Sequence, residues 1–213
     1  MIKNIHWLGH DSFRIDTTKT IYFDPWQLKE GLPQADLVLI THEHGDHCSP
    51  GDVAKIATEK TIIVTNAASA EKLAGLAGQV KIVKPGDSVS INGIKIEAVP
   101  AYNLNKFRSP GKPFHPKEAG HVGFVVTVAG QRIYHAGDTD HIPEMAHLQV
   151  DIALLPVSGT YVMTAQEAVG AARSIAPRLV VPMHYGAGIV GTREDAEQFA
   201  RLYDGEVTIL EQE

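Results

Sequence analysis

The run Thr41-His42-Glu43-His44-Gly45-Asp46-His47 places four side chains able to bind a metal within six residues. His42 and His44 alternate, so in extended backbone their rings point the same way. Gly45 comes next, and its missing Cβ lets the chain turn before Asp46 and His47. One pair of ligands can thus serve one ion while the next pair serves a neighbour. Imidazole with carboxylate suits zinc, and also manganese or iron. The plain alternative is a histidine-rich surface loop that holds nothing, and the ligand-like spacing argues against it.

The elements around this cluster must hold it rigidly. Asp36-Leu37-Val38-Leu39-Ile40 reads as a buried strand, and Ser49-Pro50 as an N-cap followed by proline at the first helical position. The cluster therefore sits on a strand-to-helix loop, a place from which a scaffold aims side chains into a cleft. Earlier, Ile5 to Leu8, Ser12 to Asp16 and Thr20 to Asp24 read as strands. Later, Thr61 to Thr65 and Val80 to Val83 read as strands around a helix from Asn66 to about Ala77. Asn92-Gly93 between Ser88 to Ile91 and Ile94 to Val99 predicts a tight hairpin, and Ala129-Gly130 joins a second. Ile152 to Leu155 and Arg178 to Pro182 are further strands, and Val207 to Leu210 is expected as the last. Thr164-x-x-Glu167 is a capping box, and Thr192 caps the final helix.

The stretch Ala101 to Gly120 is the least regular, with Pro110, Pro113 and Pro116 around Gly111. A loop this long in a compact domain is usually functional. It carries Lys106, Arg108, Lys112 and Lys117 against one acid, Glu118, on a chain whose formal net charge is -6. That contrast predicts capture of an anionic group, with Lys106 and Arg108 on the substrate. No basic run is long enough to track a nucleic-acid backbone, so nucleic acid is excluded as a partner. The 213 residues, 44% hydrophobic and 21% charged, are ordinary for a globular protein. The single cysteine, Cys48, allows no internal disulfide. Together with an N-terminus that runs straight into a strand, and no apolar run near membrane length, this predicts a cytoplasmic protein. A homo-oligomer is compatible with all of this. Cys48 reads as a small buried thiol at a helix start rather than a ligand.

Further segments fall in a recognisable order. Asp24 closes the strand Ile21-Tyr22-Phe23, Ala136-Gly137-Asp138-Thr139 follows Gln131 to His135, and His184 follows Leu179 to Pro182. With H-x-H-x-D-H at 42–47, the chain resembles the metallo-β-lactamase superfamily over almost its whole length. It looks most like the small, single-domain metal-dependent hydrolases related to L-ascorbate-6-phosphate lactonases and N-acyl-phosphatidylethanolamine phospholipase D enzymes. The resemblance implies an α/β (α+β) fold, a four-layer αββα sandwich of two mixed β-sheets, with residues 1–213 as one domain. It assigns His42 and His44 to one metal ion, Asp46, His47 and His184 to a second, and Asp138 to a bridge between them. Asp46, His47 and Asp138 would then carry the catalysis. Asp24 and His10 are expected to hold ligands from behind, Asp24 by fixing a histidine tautomer. The chain departs from the family pattern where the first ion usually takes a third histidine. Asn103, His115 and His121 are the candidates there.

Two ions sharing a water lower its pKa toward neutrality, so the expected nucleophile is a metal-bound hydroxide. The expected enzyme is a metal-dependent hydrolase, with two divalent ions, zinc first and manganese or iron as alternatives. Its expected substrate is a small anionic ester, lactone or phosphodiester. Tyr102, Tyr161, Tyr185 and His121 are candidate proton donors, and Tyr102 and Tyr185 also candidate substrate contacts. The competing readings are an iron-binding redox or sensing protein and a non-catalytic metal-binding module.

Overall fold

The structure is a computed structural model and describes residues 2–213. The chain divides into two compact units: a first that ends at Lys84 and takes back Glu211–Glu213, and a second spanning Pro85–Leu210.

The first unit is built on a six-stranded mixed sheet in sequential order. Its strands are β1 (Ile5–Gly9), β2 (Ser12–Asp16), β3 (Thr20–Phe23), β4 (Leu37–Ile40), β5 (Ile62–Thr65) and β6 (Gln79–Ile82). β1 to β3 form an antiparallel meander, and β3 to β6 run parallel. The parallel strands need crossovers, supplied by α1 (Pro50–Ile56) and α2 (Ala67–Lys72). Ser49 accepts from the Asp52 N–H and Asn66 from the Ser69 N–H, so both helices start where the sequence predicts. All four residues of β4 are buried, which suits an unbroken apolar run in a parallel strand. Val38 and Ile40 pack with Leu8, Tyr22, Val53, Ile56 and Ile63. That packing makes the end of β4 a firm platform for Thr41 and His42.

The second unit carries another six-stranded mixed sheet. Its strands are β7 (Ser88–Ile91), β8 (Ile94–Pro100), β11 (Val122–Val128), β12 (Gln131–His135), β13 (Ile152–Pro156) and β14 (Leu179–Met183). A two-stranded ribbon of β9 (Phe107–Ser109) and β10 (Lys112–Pro113) lies in the segment between β8 and β11. Asn92 and Gly93 both adopt positive φ, 52° and 81°, as a tight primed turn demands. β12, β13 and β14 are parallel, so their C-terminal ends share one edge. Asp138, Ser158 and His184 follow those three ends. Ligands gather at such strand ends in open α/β sheets. α3 (Ala165–Ile175) crosses between β13 and β14, opened by the full Thr164/Glu167 capping box, and α4 (Arg193–Leu202) packs beside it.

Three expectations need correction. α2 stops at Lys72 rather than near Ala77, because Gly75, with φ of 87°, turns the chain within that span. The segment Ala101 to Gly120 is not irregular throughout, since Gly111, with φ of 72°, closes the β9–β10 ribbon. Val207 makes only a single bridge to Val180 rather than opening a strand.

Gly123 on β11 is needed for packing rather than flexibility. A Cβ there would lie 2.7 Å from the Ala136 carbonyl and 2.8 Å from the His135 carbonyl. Those backbone atoms lead directly into Asp138. Gly123→Ala is expected to destabilise the protein by about 1–3 kcal/mol, the usual cost of overpacking. Urea unfolding measures this, and an unchanged midpoint would show that β11 and β12 separate freely.

Candidate metal centre

In the first unit the site rests on Asp24, fully buried and held at φ of 40°. Its carboxylate accepts the Thr41 N–H at 2.8 Å, the Thr41 hydroxyl at 2.7 Å and His47 Nδ1 at 2.8 Å. A carboxylate only accepts, so His47 carries its proton on Nδ1 and its lone pair on Nε2. Thr41 has spent its one hydroxyl proton on Asp24, yet its Oγ1 lies 3.0 Å from His42 Nδ1. His42 must therefore donate from Nδ1, which leaves Nε2 as its lone-pair atom too. His42 Nε2 and His44 Nδ1 are 3.0 Å apart, with the rings edge to face. This is the convergence the alternating spacing predicts.

A second group in the same unit comprises His10, Asp11 and His47, whose ligand atoms lie within 4.8 Å of one another. His10 Nε2 is 3.3 Å from Asp46 Oδ2. His10 and Asp46 are thus brought together. Cys48 is buried, its thiol 3.9 Å from the Ser69 carbonyl, and burial raises its pKa to about 11. A thiol so reluctant to ionise is a packing group, not a ligand.

In the second unit two more histidines are set by the same logic. The His115 N–H donates to Asn103 Oδ1 at 2.8 Å, which identifies that atom as the amide oxygen. His115 Nδ1 lies 3.0 Å from the same oxygen and so donates to it, which turns Nε2 toward Asp138. His115 Nε2 is 3.2 Å from Asp138 Oδ2. His184, at φ of 63°, has Nδ1 2.8 Å from Ser158 Oγ and Nε2 3.4 Å from Asp138 Oδ1. The two oxygens of Asp138 therefore face two different imidazoles. Asn103 spends its oxygen on His115 and its NH2 on the Tyr161 carbonyl, so it stands behind a ligand candidate rather than at the metal position. His115 is buried, and His121 sits edge to face with its ring at 5.6 Å.

The cationic loop is used differently from the sequence expectation. Lys106 gives its ammonium to both Glu167 oxygens at 2.9 and 2.7 Å, with Asp140 at 3.7 Å, and its side chain is only 13% exposed. Its charge is matched inside the protein, so it is withdrawn as a substrate ligand. Lys117 pairs with Glu144 at 2.9 Å. Tyr102 donates to Glu144 at 3.0 Å, and burial together with that acid raises its pKa, which removes it as a ready proton donor. Arg108 remains exposed over the Phe114 ring, 5.6 Å from its centroid. Tyr185 is buried. Asp140 accepts the N–H groups of Leu104 and Asn105 at 2.6 and 2.9 Å, tying the start of the loop to the strand end that carries Asp138. Asp11, Ser158 and Glu167 were not singled out as site residues. Glu167 is legible as half of a capping box, but nothing local marks Ser158 as a partner of His184.

A family model described as "Beta-lactamase superfamily domain" matches residues 4–184, and the chain belongs to that superfamily. Its fold is accordingly α/β, two mixed sheets with helices, the metallo-β-lactamase fold. The chain is 34% identical over 208 residues to a "UPF0173 metal-dependent hydrolase" of Methanoculleus marisnigri, covering 95% of this chain and 89% of that one. It is 34% identical over 228 residues to one of Pyrococcus abyssi, covering 99% and 96%. A crystal structure from Parabacteroides distasonis shares 37% identity with a TM-score of 0.84, covering 98% and 93%. The particular kind of protein is therefore a metal-dependent hydrolase, an enzyme. The grouped histidines and aspartates described above are candidates for holding its metal.

Two outcomes are expected from this geometry. Asn103→Ala should weaken metal binding about 10- to 100-fold, the usual cost of losing a hydrogen bond behind a ligand, and His115→Ala should lose more. Zinc titration decides, and an unchanged His115→Ala isotherm would remove His115 from the centre. Burial opposes ionisation of Glu167, but Lys106, the Thr164 N–H and Asn105 outweigh it and lower its pKa from 4.5 to about 2. A depressed pKa stabilises the fold above the ordinary value, and that stability is lost as pH falls from about 4.5 toward 2. Melting temperature should fall faster across this window in the wild type than in Glu167→Gln.

Proposed function

We propose that this enzyme uses two zinc ions to hydrolyse a small anionic ester, lactone or phosphodiester, with residues 1–213 acting as one catalytic domain. The observation that carries the binuclear reading is Asp138. One of its oxygens faces His115 Nε2 at 3.2 Å, and the other faces His184 Nε2 at 3.4 Å. A carboxylate whose two oxygens are divided in this way could hold two ions. On the assignment the superfamily resemblance implies, His42 and His44 would hold one ion, with His115 as the candidate third ligand, and Asp46, His47 and His184 would hold the other.

The donor set fits zinc chemically. His42, His47 and His115 each donate from Nδ1 to an oxygen of Thr41, Asp24 or Asn103, so each turns Nε2 toward the site, and His184 has its Nδ1 beside the Ser158 hydroxyl with Nε2 toward Asp138. Bound zinc would supply a water activated near neutral pH and positive charge for the substrate oxygen that becomes anionic. The protein's own contribution is to hold the imidazoles in one tautomer and to keep Asp138 between the ions. Asp46, partly exposed beside His10, would accept a proton from the water that a bound ion activates. Arg108 is an exposed cation that supports an anionic substrate. Tyr161, Tyr185 and His121 remain as candidate proton donors, and Tyr185 and His121 as candidate substrate contacts, since Tyr102 is engaged by Glu144.

A panel of phosphodiesters, lactones, thioesters and amides, assayed with added zinc or manganese, tests the reading. Asp138→Ala is expected to lose metal and to reduce turnover to background on every substrate that the wild type cleaves. Retention of both ions and full turnover by that variant would refute the bridge. Elemental analysis and an anaerobic absorption spectrum test the choice of metal, and a native iron complement would replace zinc. Arg108→Ala is expected to raise KM for charged substrates but not neutral ones, with the difference shrinking in high salt. An equal rise for both would remove the electrostatic role.

A further inference from the structure

We propose that Asp11 is a direct ligand of the ion held by His47, an inference that rests on the metal-centre reading above. β1 pairs with β2 so that Gly9 faces Ser12, which puts His10 and Asp11 at the tip of the hairpin. Hairpin tips ordinarily meet solvent. Here both tip residues are 0% exposed. Gly9 and His10 both take positive φ, 113° and 54°, and a histidine adopts that conformation rarely. The tip is bent inward and carries two polar side chains with it. Backbone strain held in this way marks functional positions.

The distances say what the tip does. Asp11 Oδ2 lies 3.6 Å from His47 Nε2. His47 donates from Nδ1 to Asp24, so Nε2 is the atom that faces the Asp11 carboxylate. A buried carboxylate oxygen and an imidazole nitrogen at this range suit a shared cation, a proton or a metal ion, between them. Their separation is too long for an N–H···O hydrogen bond, whose usual length is about 2.9 Å. It matches the edge of a coordination shell, because ligands about 2.1 Å from zinc at tetrahedral angles stand about 3.4 Å apart.

His10 plays a different part. Its Nε2 is 3.5 Å from Asp11 Oδ2 and 3.3 Å from Asp46 Oδ2. From there a proton on Nε2 faces both carboxylates and holds them at a fixed separation. His10 is thus a positioning residue for Asp11 and Asp46. With Asp11 added, the site of His47 gains a second carboxylate of its own besides Asp46.

The test is metal content after equilibration of the holoprotein against zinc and a competing chelator, for wild type, Asp11→Asn, Asp11→Ala and His47→Ala. Asp11→Asn keeps the shape of the side chain and removes its charge. It is expected to weaken one ion at least tenfold and to leave the other unchanged. The cobalt-loaded wild type provides a readout independent of any variant. One ion should show the weak absorption of a crowded oxygen-rich shell rather than the strong bands of a four-coordinate one. Wild-type metal content in both Asp11 variants, or strong four-coordinate bands for both cobalt ions, overturns the assignment of Asp11. If His47→Ala loses an ion while the Asp11 variants do not, the metal centre stands and only this inference falls. If His47→Ala also keeps both ions, the metal-centre reading falls with it.

Discussion

The Asp24 carboxylate is the constraint on which the first half of the site depends. It is fully buried, and it accepts three hydrogen bonds from Thr41 and His47. A buried carboxylate needs such partners, since an unpaired charge there would be costly. Its acceptor-only character then propagates. It fixes the proton of His47 directly, and it fixes that of His42 through the single hydroxyl proton of Thr41. Two histidines five residues apart are set in the same tautomer by one side chain 17 residues upstream of Thr41. Packing makes this possible. β3 and β4 lie side by side and parallel, with Phe23 opposite Leu39, so Asp24 arrives beside Thr41.

The second unit repeats the device with neutral acceptors. Asn103 orients His115, and Ser158 orients His184. A carboxylate behind a histidine raises its basicity more than an amide or hydroxyl does. His47, with Asp24 behind it, is therefore the strongest donor of the four, while His42, His115 and His184 are backed by neutral groups. Asp138 directs one oxygen toward Nε2 of each ring on its own side. Its placement depends on β12 ending firmly, which the close approach of Gly123 to the His135 and Ala136 carbonyls secures.

The segment around residues 101–120 shows how packing reassigns charge. Lys106 and Lys117 read as free cations on an acidic chain. Both meet acids from distant positions, Glu167 and Glu144. Salt bridges between exposed groups contribute little to stability. The Lys106 pair differs because it is largely covered and shares Glu167 with the capping box of α3. It fastens the loop that carries Asn103 to the helix that follows β13. The electrostatics of this loop hold His115 in place first, while Arg108 faces solvent over Phe114 and Lys112 is exposed as well.

Much of this was legible along the sequence, because it depends on local physics. The buried run of β4, the caps Ser49, Asn66 and Thr164, and the Asn92-Gly93 turn follow from side-chain shape and backbone preference over a few residues. The convergence of His42 and His44 follows from strand alternation, and the resemblance carried by 42–47, Asp138 and His184 is that of the superfamily the chain belongs to. Other features had no local signal. Asn103, His115 and His121 are equivalent on paper, and only the folded loop turns the Asn103 oxygen toward His115. Lys106 looks available until Glu167, 61 residues away, is brought against it. The superfamily resemblance puts the segment that contains Asp11 near the metal cleft, but only burial of the hairpin tip points its carboxylate at His47. Residue type and short-range spacing decide which atoms can bind a metal. Which of them do so, and which are spent on holding the others, depends on contacts between residues far apart in sequence, and these exist only once the sheets have formed.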